Sequence, residues 1–163
     1  MIPFRSPIFV PGNRRNMLEK AVGFDADFVV PDLEDSVPRQ EKENARQVVS
    51  EMVPILAERQ RVIVRINSLE TGLTRGDLEA VVSPHIYGLS IGKVESPHQV
   101  KEYDSMVSSL EVKRGIEPGK IKLVFWLENA RAILRAYDIA TASPRVVGVV
   151  FGAEDYTRDM GIQ

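Results

Sequence analysis

The sequence predicts an α/β protein in which parallel strands alternate with helices, and three observations predict it. Six short apolar runs each end in charged or small polar residues: IFV before Pro11-Gly12, DFVV before Pro31-Asp32-Leu33-Glu34-Asp35, RVIVR before Asn67, GLSI before Gly92-Lys93, KLVFWL before Glu128, and VVGVV before Phe151-Gly152. Between these runs the apolar period changes from two to about 3.6, which marks helices between strands. Runs such as VVGVV and KLVFWL are nearly continuous, so both of their faces should be buried, as when helices cover a parallel sheet. Two architectures satisfy this pattern, an open doubly wound sheet and part of a (β/α)8 barrel. In both, functional groups gather at the carboxyl ends of the strands.

The elements follow in order. After Gly12, Asn13 is expected to cap a helix running through Val22, with Met17, Leu18 and Ala21 on its inward face. After the second strand, Pro38 suits a helix's first turn, and Ala45, Val48, Val49 and Met52 form the buried stripe. Pro54 is expected to kink or end that helix. Ser96-Pro97 pairs a cap with proline at the first helical position, and Val100, Tyr103, Met106, Val107 and Leu110 supply the buried face. Gly115 and Pro118-Gly119 close that unit. A fifth helix carries Ala130, Ile133, Leu134 and Tyr137, and Ser143-Pro144 breaks it before the last strand. Trp126, in the middle of an apolar run, is expected in the core.

Composition narrows the function classes. A chain of 163 residues with 44% hydrophobic content can bury a core, and one domain is the expectation. With 21 basic and 23 acidic residues, the net charge of −2 gives no field that would attract nucleic acid or an anionic membrane. The absence of cysteine excludes disulfides, thiolate nucleophiles and sulfur-ligated metals. No window approaches the roughly 20 apolar residues of a membrane span, and a cytoplasmic location is expected.

The polar residues at the strand ends are Asp32, Glu34 and Asp35, then Arg65 and Asn67, Lys93 and Glu95, Glu128, and finally Glu154 and Asp155. Glu128 follows KLVFWL directly, so it lies in or just beyond a buried strand, where an ionised carboxylate costs several kcal/mol unless compensated. Asp155 follows Phe151-Gly152 in the same way. Two carboxylates brought close from adjacent strands repel, and one pKa rises unless a cation sits between them. A hard divalent ion answers this, and oxygen donors suit Mg²⁺ or Mn²⁺. Arg65 could bind the carboxylate or carbonyl of a substrate that chelates the same ion, through bonds contributing about 1.5–3 kcal/mol each. A metal ion beside an arginine is a device for stabilising an enolate.

The strings RSPIFVPGNR, DLEDSVP, VIVRINS, GKVESP, WLENARA and FGAEDYTRDMGI, in this order and spacing from Arg5 to Ile162, resemble the citrate lyase β-subunit-like branch of the HpcH/HpaI aldolase family, the CoA-ester lyases. The resemblance implies a TIM barrel that makes or cleaves a carbon–carbon bond between acetyl-CoA, or a related acyl-CoA, and an oxo acid. It implies Glu128 and Asp155 as metal ligands and Arg65 as the substrate-binding arginine. Arg65, Asp32 and Asp35 are assigned to the chemistry, and Arg65, Arg5, Glu128 and Lys93 to the substrate, with Glu34 and Asn67 in support. Arg14 or Lys93 would meet the phosphates of CoA. In the related class II aldolases the motif comparable to DLED ends in histidine, where Asp35 stands here, and this fits the CoA-thioester branch.

On this reading residues 1–163 form a single incomplete TIM-barrel domain of about six βα units, without the last two units and a C-terminal lid. The lid of the resembled family carries the acid–base aspartate and comes from a neighbouring subunit, so a homo-oligomer, a trimer or a multiple of one, is expected. The chain should then keep the binding half of the site without the acid–base step. Two other readings stand beside it. One is a non-catalytic binding or assembly protein that retains the half-site. The other is an open flavodoxin-like nucleotide-binding or signalling domain, disfavoured because PGNRR stands where a glycine-rich phosphate loop belongs.

Overall fold

The computed structural model describes residues 4–162; residues 1–3 and 163 of the expected domain lie outside that range. The elements are β1 (Pro7–Pro11), α1 (Arg15–Ala21), β2 (Phe28–Asp32), α2 (Lys42–Ala57), β3 (Ile63–Ile66), α3 (Thr74–Val81) and β4 (Gly88–Ile91). Then follow α4 (Pro97–Arg114), β5 (Lys122–Leu127), α5 (Ala130–Leu134), α6 (Ala136–Thr141), β6 (Val146–Phe151) and α7 (Ala153–Asp159). All six apolar runs are strands. They lie side by side in sequence order, each parallel to the next. A doubly wound sheet reverses its strand order at a switch point, and no reversal occurs here. The flavodoxin-like alternative is therefore excluded.

The sheet is strongly curved. Four inter-strand steps of about 4.8 Å would hold β1 and β5 about 19 Å apart in a flat sheet, yet the rings of Phe9 on β1 and Trp126 on β5 have centroids 5.7 Å apart. Only a sheet curled toward closure brings them together, as in a barrel wall. Its concave face holds Phe28, Val30, Ile63 and Val124, with Phe9, Tyr87 and Val150 against them. The convex face carries the larger core, in which Val64, Ile66, Leu89, Ile91 and Phe125 pack against helix residues including Leu18, Val49, Met52, Leu56 and Val100. These are βα units of the TIM-barrel type, and among the described residues β1 and β6 do not pair with each other.

Several helices depart from expectation for local reasons. Asn13 does not cap α1; its amide instead donates to Glu41 Oε2 at 2.5 Å. Met17 is exposed, leaving Leu18 and Ala21 as the buried residues of α1. Pro54 does not end α2, which continues to Ala57; lacking an N–H, it removes the one helical bond to the Ser50 carbonyl in the turn before it. The helix α3 was not anticipated. It is only eight residues long, contains Gly76, and buries the polar side chains Thr74 and Asp77 beside Leu78 and Val81. The expected fifth helix is two short ones meeting at Arg135, and their buried residues are Ala132 and Ile139, while Leu134 and Tyr137 are exposed. Ser96 does cap α4, accepting a bond from Gln99 N at 3.4 Å, and Gly115 ends it in the left-handed conformation with φ 64°.

Remote from the carboxyl ends, Arg145 precedes β6 and is 5% exposed. It donates to both oxygens of the fully buried Glu111, at 2.8 and 2.6 Å, and to Asp104 at 2.5 Å. This network ties α4 to the start of β6, and its charges are fully occupied with one another.

Candidate active site

Asp32, the last residue of β2, lies in register with Arg65 of β3. Arg65 grips it with two parallel bonds, Nε to Oδ1 at 2.7 Å and Nη2 to Oδ2 at 2.6 Å. Asp32 is wholly buried and also accepts the amides of Glu34 and Ser36. Burial alone would raise its pKa, but the Arg65 bonds and charge outweigh that and hold it below the usual carboxylate range. Arg65 lies over the ring of Phe9, 4.9 Å from the centroid. Its Nη1 pairs with Asp35 Oδ2 at 3.5 Å, a longer contact to a side chain that is itself half exposed.

A second group sits on the loop after β4. Lys93 holds φ at 59°, the one non-glycine with positive φ among the described residues. This turn aims its amide at Glu128 Oε2, 2.9 Å away, and its ammonium at Glu34, 3.0 Å, and Asp35, 3.2 Å. Glu34 is 4% exposed, and burial with the neighbouring Asp35 charge raises its pKa against the pull of Lys93. For Lys93 burial works downward, but its bonds to the two carboxylates prevail and its pKa is raised. One lysine thus closes the loop of β2 onto that of β4 and fixes Glu128 through its backbone.

Glu128 is pushed up to about 7, chiefly by burial, with the charges of Glu34 and Asp155 adding to the rise and the Lys93 amide opposing it. Glycines hold space around it. A Cβ at Gly92 would stand 3.1 Å from Glu128 Oε2 and 3.2 Å from both oxygens of Glu34, and one at Gly152 would stand 2.5 Å from Glu128 Cγ. Gly152 has φ −89°, a value open to any residue, so space and not conformation demands glycine there. Gly152→Ala is expected to displace the Glu128 side chain and weaken divalent-cation binding at least about tenfold, with loss of fold stability near 1–3 kcal/mol. Calorimetric titration with Mg²⁺ beside a urea melt checks both effects.

The side chains of Asp35, Arg65, Trp126, Glu128, Phe151 and Asp155 line one cavity of about 210 Å³ at the carboxyl ends of the strands. Asp155 enters from the first turn of α7, with Oδ1 accepting from Arg158 at 2.5 Å. Trp126, expected in the core, lines this cavity instead, because β5 turns it to the concave face below Glu128.

Other expected residues lie elsewhere. Arg5 precedes β1 and is therefore at the amino edge of the sheet, paired with Asp27 through bonds of 3.0 and 2.9 Å. Its assignment to substrate is corrected on that ground. Asn67 is buried, donating to Leu33 O at 2.8 Å and to Asp77 at 2.7 Å, so it braces the loop after β2 without reaching Arg65. Arg14 is exposed at the start of α1. Two residues in this region were not anticipated. Lys42 Nζ donates to the carbonyls of Leu33 and Glu34, both at 2.6 Å, and the buried Asp77 joins Asn67 to Arg46. Neither stands at a strand end, so no sequence pattern marks them.

The donor set fits a hard divalent cation. Glu128 and Asp155 offer oxygen alone, and a carboxyl raised to about 7 by burial and, less, by neighbouring carboxylates gains from a cation. Among the described residues, no group of three or more His, Asp or Glu side chains gathers as a metal cage. Mg²⁺ does not require one, since it commonly takes one or two carboxylates and completes its octahedron with water and substrate oxygens.

The sequence profile of the HpcH/HpaI aldolase/citrate lyase family matches residues 5–163. The chain belongs to this family. Within it, the citrate lyase subunit beta of Leuconostoc mesenteroides subsp. cremoris is 36% identical over 157 residues, covering 96% of this chain and 52% of that protein. A (3S)-malyl-CoA thioesterase of Cereibacter sphaeroides is 34% identical over 160 residues, with coverage of 98% and 52%. The chain thus spans about half the length of the curated relatives it matches. A solved citrate lyase beta subunit from M. tuberculosis, complexed with oxaloacetate and magnesium, superposes with a TM-score of 0.75 at 30% identity, covering 96% of this chain and 61% of that one.

Proposed function

We propose that this protein is a Mg²⁺-dependent carbon–carbon lyase that cleaves or forms 3-hydroxyacyl-CoA esters of the citryl, citramalyl or malyl type, yielding acetyl-CoA and an oxo acid. One observation carries the reading: Arg65, whose Nη1 meets, among the described residues, only the half-exposed Asp35, and the high-pKa carboxyl of Glu128 line the same small cavity at the carboxyl ends of the strands. The chain belongs to a family in which a solved relative is complexed with oxaloacetate and magnesium. Glu128 and Asp155 would hold the cation. When bound, Mg²⁺ supplies electrostatic stabilisation of charge developing on the oxo acid's oxygens.

The remaining work falls to the protein's own groups. Asp32 fixes the Arg65 guanidinium through Nε and Nη2, which leaves Nη1 to exchange its 3.5 Å contact with Asp35 for the oxo-acid carboxylate. In cleavage, the 3-hydroxyl loses its proton, the C2–C3 bond breaks, and the hydroxyl carbon becomes the oxo acid's carbonyl. The electron pair left on the acetyl-CoA carbon then takes up a proton. Asp32 orients and does not exchange protons, since its oxygens are taken up by Arg65 and backbone amides. The acid–base group is the aspartate that the family resemblance assigns to a neighbouring subunit, so self-association belongs to this proposal, as does a cytoplasmic location. Among the described residues, no helix is long and apolar enough to cross a membrane.

The test is binding of the oxo acid, measured by calorimetric titration with glyoxylate and oxaloacetate. Binding that requires Mg²⁺ and weakens at least about tenfold in Asp155→Asn supports the proposal. Binding that is indifferent to both refutes it.

A further inference from the structure

We propose that Trp126 is the residue that limits the chain length of the oxo acid this site accepts; the inference rests on the reading of the cavity as an oxo-acid site. Strand β5 alternates, so Val124, Trp126 and Glu128 share the concave face, each about 6.6 Å above the last. Phe9 occupies the equivalent place beneath Arg65, 4.9 Å from ring centroid to guanidinium. The two rings meet edge to face, 5.7 Å apart at 67°. The two groups assigned to the polar head of the acid therefore stand on one continuous aromatic floor.

That floor is pinned. The indole Nε1–H donates to Ser90 Oγ at 2.8 Å, and Ser90 is 2% exposed. Swinging the indole aside would strip its N–H of a partner where solvent does not replace it. Below it lies Val124 of the concave cluster, and Val150 stands level with it on β6, so the indole covers further apolar space. The cavity of about 210 Å³ is smaller than the roughly 300–1,000 Å³ that takes a drug-sized ligand. With its carboxylate and carbonyl turned to Arg65 and Glu128, an oxo acid has Trp126 and Phe151 to receive its substituent. A short substituent rests on the floor, and a longer alkyl chain collides with it.

Trp126 is the protein's single tryptophan, so its emission reports the floor directly. The experiment titrates the full chain, in Mg²⁺, with glyoxylate, pyruvate, 2-oxobutyrate and 2-oxohexanoate, following Trp126 fluorescence in the native protein and heat in Trp126→Phe, Trp126→Leu and Ser90→Ala. Native protein is expected to change its emission on binding and to favour pyruvate over 2-oxohexanoate by about tenfold or more. In Trp126→Leu that preference should shrink to within about threefold because 2-oxohexanoate gains affinity relative to pyruvate, with Trp126→Phe and Ser90→Ala intermediate. Retained pyruvate binding with an unchanged preference in Trp126→Leu and Trp126→Phe overturns the role of the floor alone. Absence of pyruvate binding in the native protein overturns the oxo-acid reading, and this inference with it.

Discussion

Arg65→Met is expected to cost about 3–5 kcal/mol of folding stability and to abolish oxo-acid binding at the same time. The stability loss follows from Asp32, which is wholly buried and relies on Arg65 for two of its bonds. Removing one partner of such a pair leaves an uncompensated charge, whereas removing both is far less costly. Arg65→Met with Asp32→Asn should therefore recover much of the stability and none of the binding, a non-additivity that urea melts of the four proteins would measure. Arg65→Lys keeps a charge without the planar fork, and oxo-acid affinity should fall about 10–100-fold. If Arg65→Met folds with native stability, the pair is not the brace described here.

Glu128→Gln carries the second large effect. Burial first, then the neighbouring carboxylates, lift Glu128 to about 7, above the roughly 4.3 of an unfolded chain. Because the folded pKa is the higher one, the folded state holds the proton through the window between these values. The stabilisation this provides is present below the window and is lost as pH rises through about 7. Metal-free native protein should therefore lose roughly 1–3 kcal/mol relative to Glu128→Gln between pH 4.5 and pH 8. The amide replacement still accepts from the Lys93 N–H, so that contact is kept. At pH 8, Mg²⁺ at a hundredfold excess over its Kd should stabilise native protein by about 2.7 kcal/mol and leave Glu128→Gln unchanged. Thermal melts across pH, with and without Mg²⁺, read both effects, and parallel pH curves for the two proteins would contradict the assignment.

How much of this was legible depends on whether the signal is local. The strands were readable because a buried parallel strand needs a continuous apolar run, and each run here ends where polar side chains begin. The site charges Arg65, Glu128 and Asp155 were readable for the same reason, since a charge at the end of a buried strand must have a partner. Arg5 was misplaced because it precedes its strand, and the end of the strand decides which rim a residue occupies. Trp126 looks like core in a run of apolar letters, and only the pleat and the sheet's curvature turn it toward the cavity. The left-handed Lys93, the space held by Gly92 and Gly152, and the loop brace from Lys42 all depend on residues brought together from distant parts of the chain, which periodicity cannot reveal. The helix α3 escaped notice because it buries Thr74 and Asp77, so its inward face is not apolar.

The central claim is that Arg65 and the Glu128–Asp155 pair form one site for an oxo acid and a divalent cation. Calorimetric titration of pyruvate into the protein, with and without Mg²⁺, tests it most directly. The account predicts binding that strengthens at least about tenfold with Mg²⁺, with the reciprocal gain in Mg²⁺ affinity when pyruvate is present, and loss of that coupling in Glu128→Gln. Pyruvate affinity that is the same with and without Mg²⁺, or coupling that survives in Glu128→Gln, would contradict it.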